Sequence, residues 1–423
     1  MRIRRSPVPV PVSVLAFVAG LCVVAMPSMR ATAAGAKKAS SPGDTQVVIE
    51  LAPSAGASVA DIESDYGLRV VKDVLASHGI YLMTAAPNNP DPKAKKAKDL
   101  AKALSKDVRL RWAEINYDTD ASDDRYHAWP DGFPNFVGRD PALWLHQQAA
   151  TELGLDAVHQ LSTGAGAVVA VLDTGVDPNH PALAGRLGPA WDYVDDDAIP
   201  TDERDNADND GDGLVDEAFG HGTHVAGIVA LVAPGARILP ARVLNADGRG
   251  NVFTVAAAID DVVDAGATVI NLSFGTEDNT ASKVLDEAIV RAQHAGVAVV
   301  ASSGNGGSDV HRFPAALKDV FAVAGTNATE TGLASFSNRG KWVAAAAPAT
   351  AIVSAVPGGG YASWSGTSMA APFVSAQIAL IHDVSRRSTA KQIRDLIVHS
   401  SRQLGNGKNN PGTVDILASL QQL

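Results

Sequence analysis

From residue 46 onward, apolar positions fall into short runs whose period keeps changing. Residues 46–51 form a β-rich run. Ser58 stands where a helix cap belongs, and Val59, Ile62 and Tyr66 share one face after it. Residues 69–74 and 80–83 read as strands. Pro92 can open a second helix, with Ala97, Leu100, Ala101 and Leu104 at helical spacing; Val108, Leu110 and Trp112 then alternate as a last strand. The order βαββαβ predicts a small α+β unit of ferredoxin-like type over residues 45–117. Its second helix is lysine-rich (Lys93, Lys95, Lys96, Lys98, Lys102, Lys106), which reads as a solvated face or as a basic surface turned toward an acidic partner domain. Residues 118–139 lose both periods. Asp, Gly and Pro dominate there, as in a linker open to cleavage.

Beyond residue 140 the pattern becomes βα alternation. Residues 167–172, 238–243, 268–272, 297–301 and 321–324 are short, nearly continuous apolar runs. Residues 252–265, 282–295 and 390–400 have helical spacing. Strands apolar on both faces imply a buried parallel sheet with helices on each side. The expected fold is therefore α/β, a doubly wound mostly parallel sheet over residues 140–423, preceded by the small α+β unit. A chain of 423 residues is long enough for two or three domains.

The first residues read as an export signal rather than as fold. Arg2, Arg4 and Arg5 precede an apolar run over 12–26 that is short for a membrane span. Ala31-Thr32-Ala33 offers a small-residue cleavage site, placing the leader at residues 1–33; Ala34-Gly35-Ala36 is a second candidate, and an uncleaved anchor is the alternative. Cys22 is the only cysteine, and Leu21 before it is too large for a lipoprotein site. Removing the leader leaves no thiol chemistry and no disulfide. The 35 Lys and Arg against 46 Asp and Glu give a formal charge of −11. Such a chain is a poor partner for nucleic acid, whose phosphates would repel it.

Four stretches carry candidate chemistry. Asp173 ends the apolar run before Thr174-Gly175, and open parallel sheets place their sites at strand carboxyl ends. His221 opens a helical pattern in His221-Gly222-Thr223-His224-Val225-Ala226-Gly227. His224, one turn on, reads as a packed histidine, and the pair lacks the glutamate of a zinc motif. Asn305 follows another strand in Ser303-Gly304-Asn305. Ser368 lies in Gly366-Thr367-Ser368-Met369-Ala370-Ala371-Pro372, where a turn enters a helix. A helix N-terminus stabilises negative charge and so suits a serine nucleophile and its oxyanion.

In this order the four stretches resemble the subtilisin-like serine proteases, the subtilase family: D-T-G, H-G-T-H-V-A-G, S-G-N and G-T-S-M-A-A-P are all intact. The resemblance covers about residues 140–423. More weakly, residues 45–117 resemble the family's propeptide, with 118–139 as the maturation zone. The resemblance implies a secreted, self-processing serine endopeptidase acting on proteins or peptides, inhibited by its own propeptide, monomeric, and without membrane association once the leader is cut. Ser368 is then the nucleophile, His221 the base, Asp173 its orienting acid and Asn305 an oxyanion donor. Ser273-Phe274-Gly275 and Gly248-Arg249-Gly250 resemble the two edges between which a substrate strand lies. Phe313-Pro314 resembles the pair after the pocket floor. That places Arg312 at the floor, where it would favour an acidic residue just before the scissile bond, or else point to solvent.

The loop between Asp173 and His221 is long and acidic. Asp192, Asp195 and Asp197 match a calcium-binding loop of thermitase-like members. Asp208, Asp210, Asp212 and Asp216, with Gly213 at the turn, have a calcium-loop spacing, though Phe219 falls where the last ligand of an EF-hand belongs. Bound structural calcium is the expectation, a solvated acidic loop the alternative. Ala182 occupies a position where many subtilisins carry a calcium-binding aspartate. Three rivals were weighed: an inactive binding relative of the same fold, an esterase of the α/β-hydrolase type, which would need G-x-S-x-G, and a calcium-binding surface protein with no need of the triad.

Overall fold

In the computed structural model the described residues are 41–90, 96–121, 135–276, 279–405 and 410–423. The leader, Pro92, Lys93 and Lys95 lie outside them. Four antiparallel strands, β1 (Gln46–Leu51), β2 (Leu68–Lys72), β3 (Ile80–Ala85) and β4 (Leu110–Ile115), form a sheet in the order β2-β3-β1-β4. Helices Val59–Tyr66 and Ala97–Leu104 separate them along the chain, giving the expected βαββαβ order. Ser58 caps the first helix reciprocally. Its hydroxyl accepts from Asp61 N, and the Asp61 carboxylate accepts from Ser58 N.

Strand alternation decides what this sheet touches. Val47 and Ile49 face Ile62, Leu100 and Leu104 of the two helices. Val48, Ile80, Leu82 and Trp112 instead join Phe253 and Ile289, from helices Val252–Asp264 and Lys283–His294. The lysine-bearing helix thus covers the face turned away from the larger domain. Lys98, Lys102 and Lys106 are exposed, so this is a solvated face and not a basic surface docked on an acidic partner domain.

The larger sheet has seven strands. They are β7 (Val168–Asp173), β8 (Trp191–Asp192), β9 (Arg237–Arg242), β11 (Val269–Leu272), β13 (Ala298–Ser302), β14 (Phe321–Thr326) and β15 (Ala345–Pro348). Their order is β15-β14-β13-β11-β7-β9-β8, all parallel. Val169 and Val171 pack toward helices His221–Val232 and Thr367–Val384. Ala170 and Leu172, between them, pack toward Val252–Asp264 and Lys283–His294. Both faces are dry, which is why the strand sequences read as continuous apolar runs. The chain leaves β7 toward β8 and β9 and leaves the neighbouring β11 toward β13, on the other side, so the crevice at the carboxyl ends of these two strands is where such sheets bind ligands.

The expected linker departs from its reading. It contains two strands, β5 (Asp118–Ala121) and β6 (Asn135–Gly138), with residues 122–134 outside those described. β6 joins β16 (Ile352–Val356) and β17 (Gly360–Trp364). β5 lies between β10 (Arg249–Asn251) and β12 (Phe274–Thr276). Neither shows an apolar period: backbone pairing to existing edges places them, and β5 buries polar Thr119 and Asp120 as well as Ala121.

Candidate active site

β7 delivers Asp173, 1% exposed, to the end of a strand buried on both sides. His221 begins its helix beside it, and His221 Nδ1 donates to Asp173 Oδ1 at 2.6 Å. Thr174 N donates to the same oxygen at 2.8 Å. With Nδ1–H held by the carboxylate, Nε2 is the nitrogen left to take a proton. The approach of helix to strand explains Gly222. A Cβ there would lie 2.1 Å from the Gly175 carbonyl oxygen, so any larger residue would push the histidine away from Asp173.

A second carboxylate braces the same helix start. Asp202 is buried and accepts from Gly220 N at 2.9 Å, Thr223 N at 3.1 Å and Thr223 Oγ1 at 2.7 Å. Thr174 Oγ1 donates to it at 3.3 Å and accepts from Gly222 N at 2.9 Å. An anion here meets the free N–H groups and favourable dipole end of the helix. Burial nevertheless pushes the carboxyl up to about 6. Sequence reasoning missed Asp202, because it lies in an acidic run that resembles metal ligands and only the folded loop carries it to the helix.

Ser368 sits in the first turn of Thr367–Val384, fully buried. Its Oγ donates to the Ser273 carbonyl oxygen at 3.1 Å, and Ser273 Oγ donates back to the Ser368 carbonyl oxygen at 3.0 Å. Asn271 Nδ2 donates to Ser273 Oγ at 2.9 Å, while its Oδ1 accepts from Ser375 Oγ at 2.8 Å. The end of β11 is thereby pinned to the serine helix. Asn305, just after β13, accepts at Oδ1 from Thr367 N at 2.9 Å and Thr367 Oγ1 at 3.0 Å. The backbone donor fixes the amide orientation: the carbonyl holds the residue before Ser368, and Nδ2 turns away from it.

Both expected substrate edges come together, with the chain's own β5 between them. Ala121 pairs with Phe274, Asp120 with Gly275 and Arg249, and Thr119 with Thr276 and Gly250, all antiparallel. Ala121 N also donates to the Gly248 carbonyl oxygen at 2.9 Å. Arg312 is buried rather than turned to solvent. It runs along Gly275, where a Cβ would meet its Nε at 2.1 Å, and its guanidinium ion-pairs with Asp120.

The acidic loop divides in two. Asp208, Asp210 and Asp212 bring one carboxylate oxygen each within 4.8 Å of one another, the spacing of a shared cation. The other expected ligands do not join them. Asp192 and Asp195 pair with the guanidinium of Arg242, which is 3% exposed at the end of β9, with Asp192 at 3.0 Å. Calcium was expected at Asp192, Asp195 and Asp197; here the Arg242 guanidinium takes part of the charge of the first two. Asp197 turns to Ile199 N at 2.7 Å, and Asp216 to Asp205 N and Asn206 N at 3.0 Å each. Ala182 is buried in the apolar core, as its lack of a ligand oxygen requires.

The sequence signature of the Subtilase family (Peptidase_S8) matches residues 164–414. The thermophilic serine proteinase of Bacillus sp. strain AK1 is 34% identical over 349 residues, covering 77% of this chain and 80% of that protein. Thermitase of Thermoactinomyces vulgaris is 35% identical over 279 residues, 64% of this chain and 93% of thermitase. Among solved structures, fervidolysin from Fervidobacterium pennivorans, a keratinolytic enzyme related to subtilisin, superposes with a TM-score of 0.70 at 26% identity. That match covers 89% of this chain but spans only 61% of fervidolysin. The fold and the relatives together define a serine endopeptidase. The chain belongs to the subtilase family.

His224, expected to be a packed histidine, is one. Nε2 donates to the Ile352 and Ala362 carbonyl oxygens at 3.1 and 3.2 Å, and the ring stacks on Trp364. Burial lowers its pKa from 6.5 to about 3. The unfolded chain therefore takes up a proton below pH 6.5 that the folded chain refuses. Stability from this group is full above 6.5 and falls as pH drops, by up to about 1.4 kcal/mol per pH unit. Urea unfolding of the Ser368→Ala protein between pH 7 and 5 should show this slope. His224→Gln keeps a donor for the two carbonyls and should flatten it; an unchanged slope would locate the acid sensitivity elsewhere.

Proposed function

We propose that this chain is the secreted zymogen of a subtilase, with Asp173, His221 and Ser368 as its triad. The observation that carries the reading is β5: the chain's own segment lies in the groove as a substrate strand would, backbone-paired to both edges. A peptide in that place presents its carbonyl carbon to Ser368. The hydroxyl turns from the Ser273 carbonyl to His221 Nε2 and attacks, and its proton passes to Nε2. Asp173 stabilises the imidazolium. The oxyanion accepts from Asn305 Nδ2 and from the Ser368 backbone N–H at the helix start. The C–N bond breaks as His221 returns the proton to the leaving amine. A water deprotonated by His221 then releases the acyl group from Ser368 as a carboxylic acid. The alternative of an inactive binding protein on the same fold has no missing triad member to favour it.

Residues 45–117 are proposed as the intramolecular inhibitor and chaperone, 118–139 as the linker cut on maturation, and 140–423 as the mature monomeric enzyme. Three contacts support the docking. Glu114 Oε1 accepts from Ser282 Oγ and Val284 N, and Oε2 from Lys283 N, all at 2.9 Å, so a carboxylate of β4 caps the helix Lys283–His294. Trp112 Nε1 donates to Glu287 at 2.9 Å, and Phe253 N donates to Asn116 at 3.2 Å. Export through a leader at 1–33 is part of the same reading. Among the described residues no helix is long and apolar enough to cross a membrane.

Structural calcium is proposed at Asp208, Asp210 and Asp212. Three hard oxygen donors suit Ca²⁺. Asp210 is also tied to Arg249 of the substrate edge at 2.5 Å, so ordering this loop steadies β10. The ion would supply local neutralisation there and takes no part in the bond-breaking steps.

Three outcomes test these proposals. Ser368→Ala should lower peptidase activity by about 10⁴-fold or more and leave the precursor uncut, and adding His221→Ala should change little further. Substantial cleavage by Ser368→Ala removes the mechanism. Residues 41–121 added in trans should inhibit the mature enzyme. Glu114→Ala, which strands three donors, should raise the inhibition constant roughly 5- to 150-fold, the range for about 1–3 kcal/mol. Equal inhibition by both fragments would refute the capping role. Chelation of the Ser368→Ala protein should lower its melting temperature by roughly 5–10 °C, reversed by added Ca²⁺. An unchanged melting curve after verified metal removal excludes bound calcium.

A further inference from the structure

We propose that Arg312 makes this protease select an acidic side chain at the third residue before the cleaved bond, and that Asp120 is the chain's own occupant of that position. The inference rests on the peptidase reading above and goes on to the substrate. Its basis is register. Ser273 offers its carbonyl oxygen to Ser368 Oγ at 3.1 Å, so a peptide residue facing Ser273 lies alongside the nucleophile and supplies the attacked carbonyl. The groove strand is antiparallel to this edge, with Ala121 opposite Phe274 and Asp120 opposite Gly275. The position facing Gly275 therefore precedes the attacked residue by two. Arg312 reaches that position through its ion pair with Asp120.

The surroundings make charge the criterion. Asp120 is 1% exposed and the Arg312 side chain 10% exposed, so water screens the pair little. The Arg312 side chain lies against two glycines, its stem along Gly304 and its Nε beside Gly275, and a side chain at either would crowd it. Cβ atoms added at these glycines would stand 2.1 Å from Arg312 Nε and 3.4 Å from its Cγ. Arg312 Nε has no hydrogen-bond partner among the described residues. When β5 leaves the groove, the guanidinium loses this carboxylate, and a substrate strand that covers it again would restore the pair with an acidic side chain. A neutral residue there leaves the cation uncompensated. Arg249, on the opposite edge, ion-pairs with Asp210 at 2.5 Å, while Arg312 ion-pairs with Asp120. The same pair would retain the cleaved segment until a competing acid or added salt displaces it.

The test is cleavage-site profiling of the mature enzyme on a peptide library with all residues varied on both sides of the cut. Wild type should enrich Asp and Glu at the third residue before the bond, with kcat/KM about ten- to hundredfold above the matched Asn and Gln peptides. Arg312→Gln should abolish that enrichment, and Arg312→Glu should replace it by Lys and Arg. Asp120→Asn in the full chain should shorten retention of the processed segment. Acidic enrichment only at the residue next to the bond, or none at all, overturns the proposal, and the wild-type profile decides this even if the variants fail to fold. A library left wholly uncut would instead refute the peptidase reading itself.

Discussion

A carboxylate at the end of one strand and an imidazole at the start of one helix must meet at 2.6 Å, and much of this molecule follows from that requirement. β7 has to be buried on both faces so that Asp173 cannot hydrate. The helix must approach the strand so closely that only Gly222 fits between them. Thr174 and Asp202 then satisfy the free N–H groups of the helix start, which would otherwise be buried without acceptors. Ser368 arrives on a separate helix, fixed to β11 through Ser273 and Asn271. Each side chain of the proposed triad is therefore held at the end of a regular element whose other end is buried in the core. Loops supply the braces and not the reacting groups.

The groove obeys a different constraint. Its two edges, β10 and β12, are too far apart to pair with each other and are completed only by a strand laid between them. In this chain the connection from the small domain does so. The small sheet's open face sits on two helices of the large domain, and Glu114 closes the N-terminus of one of them. Docking and groove filling are consequences of the same chain direction: β4 runs toward the site and hands over directly to β5.

What could be read from the sequence depended on how local the cause was. The strands of the large sheet and the four motifs were legible because each is set by neighbouring residues: continuous apolar runs, glycine where backbones touch, serine at a helix start. Asp173, His221 and Ser368 fall at element ends, and Asn305 in the loop that follows β13. β5 and β6 were not legible, since their order comes from partners far along the chain. Asp202 was hidden among acidic residues of similar type. Asp192 and Asp195 were read as metal ligands because nothing nearby reveals that β9 ends in an arginine beneath them. The lysine helix shows the same limit. Its amphipathicity was plain, but which domain face it would cover depends on strand alternation in a sheet not yet assembled.

The guanidinium of Arg242 is a cation supplied by the fold itself. A cation joined to the backbone cannot be diluted, exchanged or sequestered, and its local concentration is fixed by the fold. The stretch around Asp192 and Asp195 therefore keeps its counter-charge whatever the mineral content of the medium, whereas the calcium proposed at Asp208–Asp212 would answer to mass action. The loop before His221 is thus insured at one end and responsive at the other. With the proposed calcium, an environment poor in divalent ions would loosen the half nearer the substrate edge and leave the half nearer the sheet in place.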